Sequence, residues 1–554
     1  MSAAATIAAF VALVAQGQTP TFRSDTRLVE LTVTALDRKG HAVTDLRLED
    51  FAIQENGKPR TITFFKYDGG PSVEPPALPL PPGVFTNRVE FTPGPPRNVT
   101  ALLLDDLNTP TRFSMRIRAT ATRYLKALAP RTRVGVFHMS GRLRVLHDFT
   151  DDAEALRGRI EQAVLAMPLQ VESDFNRSVI EAEQFVDMFK SDPEMEALMA
   201  EMVRSQLETE MMANAQARLA RLEKTLAFIE NLGQHLAGIP GRKNLVWISG
   251  GISMLSVTGA MGMGPRGSIE SYEDKVRRTS QKLAQQGVVL YIVDARGLDV
   301  PGSMTAESSG AMPMRGRGRF EPQQQAESIS DDSQPAMELL SSITGGRYLH
   351  NTNDLAEGFK KAASDLEGSY TLGFYVSDEP DGKWHNLKAS VKRSGVNLRH
   401  RTGYLAEAVA ATPTLWTTET AIAAIVNPIG SSAVQLTAYC VAAPDGDPGT
   451  LQVNLRVETA SLRFHEEGGE RQARIQVIFA GRAANGSTRL TIDNPAVKIP
   501  AQRWETAQTE GLLYARRWKP EPDALSLRVV VRDTITGRYG TLDVALKKLA
   551  PPGK

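Results

Sequence analysis

The chain has 554 residues, more than one hydrophobic core usually supports, which predicts roughly three or four domains. Lys+Arg 64 against Asp+Glu 63 leave a formal net charge of +1, and no long Lys/Arg run disturbs that balance, so the basic field of a nucleic-acid binder is excluded. A single cysteine, Cys440, excludes an internal disulfide and a cysteine-rich metal site and reads as a small core residue.

At the amino end, residues 3–15 form an uncharged apolar run of the length of a signal-peptide core, without the positive residues that usually precede one. Residues 1–24 are read as a truncated signal peptide or tail, and the mature chain is expected outside the cytoplasm, secreted or periplasmic. No later apolar stretch reaches the ~20 residues of a membrane helix. Residues 25–70 read as a small antiparallel β module: Val29, Leu31 and Val33 alternate with polar residues, and Asn56-Gly57 marks a hairpin turn. Nine prolines between Pro71 and Pro96 predict an extended linker or strap over 71–97.

From residue 98 the pattern changes to short apolar strands alternating with amphipathic helices, as in a mostly parallel sheet covered on both faces. Strands are expected at 99–104, 134–139, 143–146, 245–248 and 288–293, with helices over 112–128 and 354–367 and a helix start at Asp151 and Glu154. Residues 194–236 lack proline and carry apolar residues at mixed three-and-four spacing, predicting either one projecting helix or two packed ones. Residues 301–335, rich in Gly, Met, Ser and Gln, predict a mobile loop, and 369–410 a β extension. Beyond 411 the chain is read as a β-sandwich, because Leu436 and Ala438, Val453 to Val457, Ile475 to Phe479, Leu525 to Val529 and Leu542 to Leu546 alternate with outward residues.

Enzymatic motifs are weak. His465-Glu466-Glu467 lacks the second histidine of a zinc-protease helix, and Trp247 stands where a serine-hydrolase elbow needs glycine ahead of Ser249-Gly250-Gly251. The glycine-rich 259–267 lacks the Gly-Lys-Ser/Thr of a nucleotide loop. Arg516, Arg517, Trp518 and Lys519 mix basic and aromatic groups and read as a strand edge, while the methionines of 188–212 read as helix packing or an adaptable partner surface.

Several ordered segments resemble the von Willebrand factor A-related proteins of the Acidobacterial type. They are Val43-Thr44-Asp45-Leu46, Glu49-Asp50-Phe51, Glu55-Asn56-Gly57-Lys58-Pro59, Leu103-Leu104-Asp105 with Asn108-Thr109-Pro110, Val293-Asp294 with Arg296-Gly297-Leu298, Thr344-Gly345-Gly346-Arg347, Tyr370-Thr371-Leu372-Gly373 and Arg401-Thr402-Gly403-Tyr404, spanning about 27–405. The resemblance implies an α/β class with a doubly wound, mostly parallel von Willebrand factor A-like sheet over 98–368, flanked by the β module; the C-terminal antiparallel β-sandwich lies outside the resemblance and rests on its alternation alone. The resemblance also implies a crevice at the carboxyl ends of the strands that holds Mg²⁺ or a similar hard cation. The family's Asp-x-Ser-x-Ser begins at Asp105, but its serine positions are Leu107 and Thr109, and Ser249 stands where a distal Asp belongs. Asp106 and Asn108 are the neighbouring oxygen donors, so the metal candidates are Asp105, Asp106, Asn108, Thr109 and Ser249, a degenerate set, with Ser173, Asp174 and Ser178 for the middle loop. The competing reading is that Asp105, Asp106 and Asn108 satisfy turn and helix-cap backbone groups.

The expectation is therefore an exported, non-enzymatic, adhesion-like scaffold that binds a protein partner, with no nucleic acid and no membrane span. Two alternatives stand beside it: a structural or assembly protein acting through 194–236, including as a homo-oligomer, and a hydrolase with an unrecognised site.

Overall fold

The computed structural model describes residues 27–67, 80–88, 91, 99–110, 113–127, 132–163, 181–182, 184–237, 239, 243–252, 272–297, 328–351, 369–376, 381–406, 415–426, 430–443, 449–483 and 488–546. In chain order the strands are β1 Arg27–Leu36, β2 Phe51–Glu55, β3 Lys58–Arg60, β4 Phe64–Tyr67, β5 Val84–Thr86, β6 Val99–Asp105, β7 Arg133–Met139, β8 Leu143–Thr150, β9 Lys243–Ser249, β10 Val288–Asp294, β11 Arg347–Leu349, β12 Tyr370–Val376, β13 Trp384–Val391, β14 Asn397–Arg399 and β15 Gly403–Leu405. Nine more follow: β16 Leu436–Ala442, β17 Leu451–Val457, β18 His465–Glu467, β19 Glu470–Ala483, β20 Thr488–Asp493, β21 Ala496–Pro500, β22 Leu512–Trp518, β23 Ala524–Asp533 and β24 Tyr539–Ala545. The helices are α1 Ser114–Ala127, α2 Ala153–Gln162, α3 Pro193–Ala237, α4 Tyr272–Gln285, α5 Ser328–Thr344, α6 Thr418–Val426 and α7 Trp504–Glu510.

The segments 25–70 and 369–410, separate in the sequence reading, interleave into one unit. β1 pairs with β12 from Arg27↔Val376 to Val33↔Tyr370, and β2 pairs with β13 from Phe51↔Val391 to Glu55↔Leu387. Two four-stranded sheets, β14-β1-β12-β4 and β15-β13-β2-β3, face each other over Leu31, Val33, Ile53, Leu372 and Phe374. A lone hairpin cannot bury both faces of its apolar alternation, so residues over 300 positions away supply the missing half. Asn56 and Gly57 adopt φ 48 and φ 80, the paired positive values that a two-residue hairpin turn requires.

A six-stranded sheet, β11-β10-β9-β6-β7-β8, forms the centre; its first five strands run parallel and β8 antiparallel to β7. β6 and β9 are buried along their whole length because helices cover both faces. On one side Leu102 and Leu104 meet Ile117 and Tyr124 of α1 and Leu156 and Ile160 of α2. On the other, Ala101, Leu103 and Trp247 meet Leu226, Ile229 and Leu232 of α3 and Val276, Met337 and Leu340 of α4 and α5. α2 is capped by Asp152, whose carboxylate accepts from Glu154 N and Ala155 N, one residue later than the expected start at Asp151. α5 begins at Ser328, inside the segment read as a mobile loop: Pro335 suggests a break, yet burial of Ala336, Met337 and Leu340 holds the helix through it. The remainder of that loop, residues 301–327, lies outside the described residues.

α3 is one continuous helix of 45 residues, about 68 Å long at 1.5 Å per residue, which settles the choice between one helix and two. Its carboxyl half packs on the sheet. Its amino half leaves Leu198 and Met202 exposed, while Val203 and Leu207, with Ala200 beside them, join a small cluster with Val186.

The third unit is a sandwich of β22-β17-β16-β5 against a sheet built on β18-β19-β23-β24, with β20 and β21 also pairing β19. Val453, Leu455, Val477, Phe479, Leu527 and Val529 fill its interior. The proline-rich 71–97 is more than a strap: its proline-free Val84–Thr86 keeps its backbone donors and joins the sheet as β5, opposite Thr437, Ala438 and Tyr439. The outer face of β19 and β23 is also covered, because α6 buries Ala421 and Ile425 against Ile478 and Val530. Buried Arg528 anchors that cover, pairing with Asp543 through Nε at 2.8 Å and donating to the Ile425 carbonyl at 3.0 Å.

The carboxyl end of α3 meets the third unit, where the His235 ring lies 2.5 Å from the Gly430 carbonyl and Ser432 donates to the His235 carbonyl. α4 meets the first unit, where Gln285 donates to the Leu405 carbonyl and Arg401 donates to that of Ala284.

Candidate functional site

The carboxyl ends of β6, β7, β9 and β10 gather the polar residues of the central unit. Asp105 ends β6 with no exposed surface, since β7 and β9 flank it and α3 lies over it. Its Oδ2 accepts from Ser249 Oγ at 2.6 Å, Asn108 Nδ2 at 2.9 Å and Trp247 Nε1 at 3.0 Å, and its Oδ1 accepts from the Asn108 backbone N–H at 2.9 Å. Every one of these donors is neutral. Burial pushes the Asp105 carboxyl above its ordinary value, and the opposing hydrogen bonds from Ser249, Asn108 and Trp247 do not reverse the shift.

The remaining candidates close around that carboxylate. Ser249 Oγ, besides donating to Asp105, accepts from Gly251 N at 3.0 Å. Thr109 Oγ1 accepts from Gly250 N at 2.7 Å, tying the loop after β6 to the loop after β9. A Cβ on Gly250 would lie 2.9 Å from the Asn108 carbonyl oxygen, so the approach of these loops requires glycine there. Asn108 Nδ2 also reaches Thr225 Oγ1 on α3 at 2.9 Å. Asp106 turns to the other side, where its Oδ2 lies 2.9 Å from His138 Nε2 with both residues buried and its Oδ1 has no protein partner.

A hard cation needs a shell of oxygen acceptors turned toward one point. Here the Asp105 oxygens face three N–H groups and a hydroxyl, and an indole N–H offers a metal nothing. The hydroxyls of Thr109 and Ser249 are spent on Gly250 N, Gly251 N and Asp105. Leu107 supplies no oxygen, and Asp106 is directed to His138. Four of the five candidates, Asp105, Asn108, Thr109 and Ser249, are brought together in a hydrogen-bonded network, and the fifth, Asp106, is turned away to His138, so the set does not form a ligand shell for Mg²⁺. Among the described residues no group of three His, Cys, Asp or Glu could hold a metal ion. The middle-loop candidates Ser173, Asp174 and Ser178 lie outside the described residues, as do 1–24, 259–267 and 354–367. The capping alternative holds in part, since Asp105 closes its own turn on Asn108 N while α1 starts only at Ser114.

Three participants escaped the sequence reading. Trp247 was legible in principle, because a tryptophan in the apolar run Leu245–Ile248 of a buried strand needs an acceptor for its N–H. Thr225, within a long helix, and His138, within a short strand, carry no local signal. One step along the sheet, Asp294 is closed in turn: Arg296 reaches its two oxygens at 3.0 Å and 2.7 Å, and Tyr348 OH donates at 3.1 Å. Burial and the adjacent negative charge of Asp294 push the Tyr348 phenol up. Ser249 also lacks the arrangement of a nucleophile, since its hydroxyl points to a carboxylate and His138 is engaged with Asp106.

The fold and site define an α/β unit with a closed polar corner at its strand ends, carried between two antiparallel sandwiches. No protein-family model matches the chain, and no curated protein matches it. Solved structures similar to it include the conserved hypothetical protein BatB from Bacteroides thetaiotaomicron, at 12% identity and TM-score 0.23, covering 48% of this chain and 97% of that one. An aerotolerance-related membrane protein from Bacteroides fragilis is similar at 10% identity and TM-score 0.23, covering 49% and 98%. Proximal thread matrix protein 1 from the mussel byssus is similar at 9% identity and TM-score 0.22, covering 49% and 48%. No helix among the described residues is long and apolar enough to cross a membrane.

Proposed function

We propose that this chain is an exported, non-enzymatic scaffold that binds a protein partner, built on a von Willebrand factor A-like α/β domain whose carboxyl-edge corner is held by hydrogen bonds in place of a cation. The observation that carries this reading is the Asp105 carboxylate, fully buried and met by four neutral donors. Such a corner is preorganised without a metal, and its chemistry supports recognition rather than turnover, because it presents neither an activated nucleophile nor a free general base. The test is capture of a partner from an envelope fraction by the full chain, with chelator and with Mg²⁺. The same partner is expected in both conditions. Capture that needs Mg²⁺ and is lost in Asp105→Asn, or turnover in a broad hydrolase screen, overturns the reading.

The amino half of α3 favours a second reading, in which the chain assembles through that helix. Met195, Leu198, Met202 and Met212 are exposed there, well beyond the part of α3 that packs on the sheet. Because Leu226, Ile229 and Leu232 belong to the core, the informative variant is Leu198→Glu with Met202→Glu rather than removal of the helix. Sedimentation separates the readings: an assembly that falls apart in this variant supports the second.

A further inference from the structure

We infer that the open flank of the third unit binds an extended acidic segment of a partner protein, which adds as a strand beside β22. β22 forms a ladder with β17 from Leu512↔Val457 to Trp518↔Leu451 and, among the described residues, has no ladder partner on its other side. β20 borders the facing sheet in the same way, pairing β19 alone. Between these two borders runs a cavity of about 330 Å³ whose walls include Arg489, Arg516, Arg517, Trp518, Lys519 and Glu521. Successive side chains of a strand point to opposite faces, so a cavity touched by Arg516, Arg517 and Trp518 in turn lies along the border of β22, where its outer N–H and C=O groups emerge.

The charges select the partner. Four cationic side chains line the cavity against the single carboxylate of Glu521, in a chain whose overall net charge is +1. Arg489 pairs with Glu521 at 2.7 Å, and Arg516 pairs with Asp493, which also accepts from Tyr514. Arg517 and Lys519 are exposed at the rim. Positive side chains on a strand border repel neutral-backbone pairing with a second positive border, which protects the sheet from its own copies. The same charges favour a strand bearing Glu or Asp, whose backbone completes the ladder while its carboxylates meet the rim. Leu513, 77% exposed on the adjacent outward face, adds an apolar contact for an intervening side chain.

This inference deepens the protein-binding reading by naming the partner's chemistry, and it rests on that reading only in assigning the ligand to a protein. The test uses the purified full chain and a labelled peptide of alternating Glu and Val, followed by fluorescence anisotropy. Saturable binding that weakens with added salt is expected, with none for the peptide carrying Lys in place of Glu. Arg517→Glu combined with Lys519→Glu should weaken binding at least about tenfold. A peptide of equal charge with Pro at the Val positions, which lacks the backbone donors, should weaken it similarly. Equal binding by the charge-reversed variant or by the proline peptide overturns the proposal, as does binding of polyphosphate or nucleic acid with none of the acidic peptide. If the double variant melts early, Leu513→Glu applies the same repulsion from an exposed position. Intact peptide binding with failed envelope capture overturns only the scaffold reading, and the converse overturns only this one.

Discussion

Asp105 in the central unit and Glu55 in the first are both carboxylates buried to 2% exposure or less, yet their surroundings drive them in opposite directions. Asp105 is met only by neutral donors, and burial holds its carboxyl above the ordinary value. Burial pushes Glu55 up too, but hydrogen bonds from Tyr404, His385 and Arg60 and the Arg60 charge together bring it below that value. Arg60 Nε lies 2.6 Å from Glu55 Oε2 and His385 Nδ1 lies 2.8 Å from Oε1, while the opposite nitrogen of His385 lies 3.1 Å from Asp381. The number of hydrogen bonds is similar at the two sites, but at Glu55 the bonds from Tyr404, His385 and Arg60, with the Arg60 charge added, outweigh burial, whereas at Asp105 burial prevails. The first site is a network that binds β2 to β13; the second is a neutral cradle that ties the loops after β6 and β9 to α3.

The largest expected effect is at the cradle. Asp105→Ala strips the acceptor from Trp247, Ser249 and Asn108 at once, and denaturant unfolding should show a loss on the order of 3–5 kcal/mol. Glu55→Gln removes the counter-charge of Arg60 and should cost about 2–3 kcal/mol at neutral pH. The two carboxylates then separate by pH. A depressed folded pKa means that the stability Glu55 contributes is complete above its unfolded value, near ~4.3, and is lost as pH falls through the folded value. The gap between wild type and Glu55→Gln should therefore narrow in acid. Asp105 runs the other way: its raised folded value means that burying the ionised form costs stability at higher pH, a cost that disappears as pH falls below the unfolded value near ~3.9. A gap for Glu55→Gln that stays constant from neutral pH to pH ~3 would contradict the contrast between the sites.

Smaller effects sharpen it. Trp247→Phe keeps the ring's bulk and removes one of the donors to Asp105, so a loss of about 1–2 kcal/mol is expected by thermal melting. At the bottom of the scale, Leu198→Ala on the exposed half of α3 should stay within about 0.5 kcal/mol, whereas Leu232→Ala on the buried half of the same helix should lose about 2–5 kcal/mol. Comparable losses at both positions would mean that the amino half of α3 is packed against something in solution.

The sequence made the alternating elements legible because each strand's apolar run and each helix's stripe is local. β6, β7, β9, β10 and α1 fall within a residue or two of expectation, and the single α3 follows its unbroken spacing. Pairing was not local. That β1 joins β12 and that Val84–Thr86 joins β16 depends on segments hundreds of residues apart, and an amphipathic strand announces a buried face without naming its cover. The same boundary runs through the site. Asp105, Asn108, Thr109 and Ser249 were singled out by resemblance to the family's Asp-x-Ser-x-Ser pattern, but their roles depend on Trp247 and Thr225, which approach from another strand and from α3. In sequence, a cluster of oxygens looks like a set of ligands; only the placement of the N–H groups reveals that those oxygens are already satisfied.

The most direct test of a corner closed by hydrogen bonds is the melting temperature of the full chain measured across Mg²⁺ and Mn²⁺ concentrations and in chelator. An unchanged value is expected, because a cation would have to displace the N–H groups of Trp247 and Asn108 from Asp105. A melting temperature that rises with metal in the wild type and fails to rise in Asp105→Asn would contradict the account.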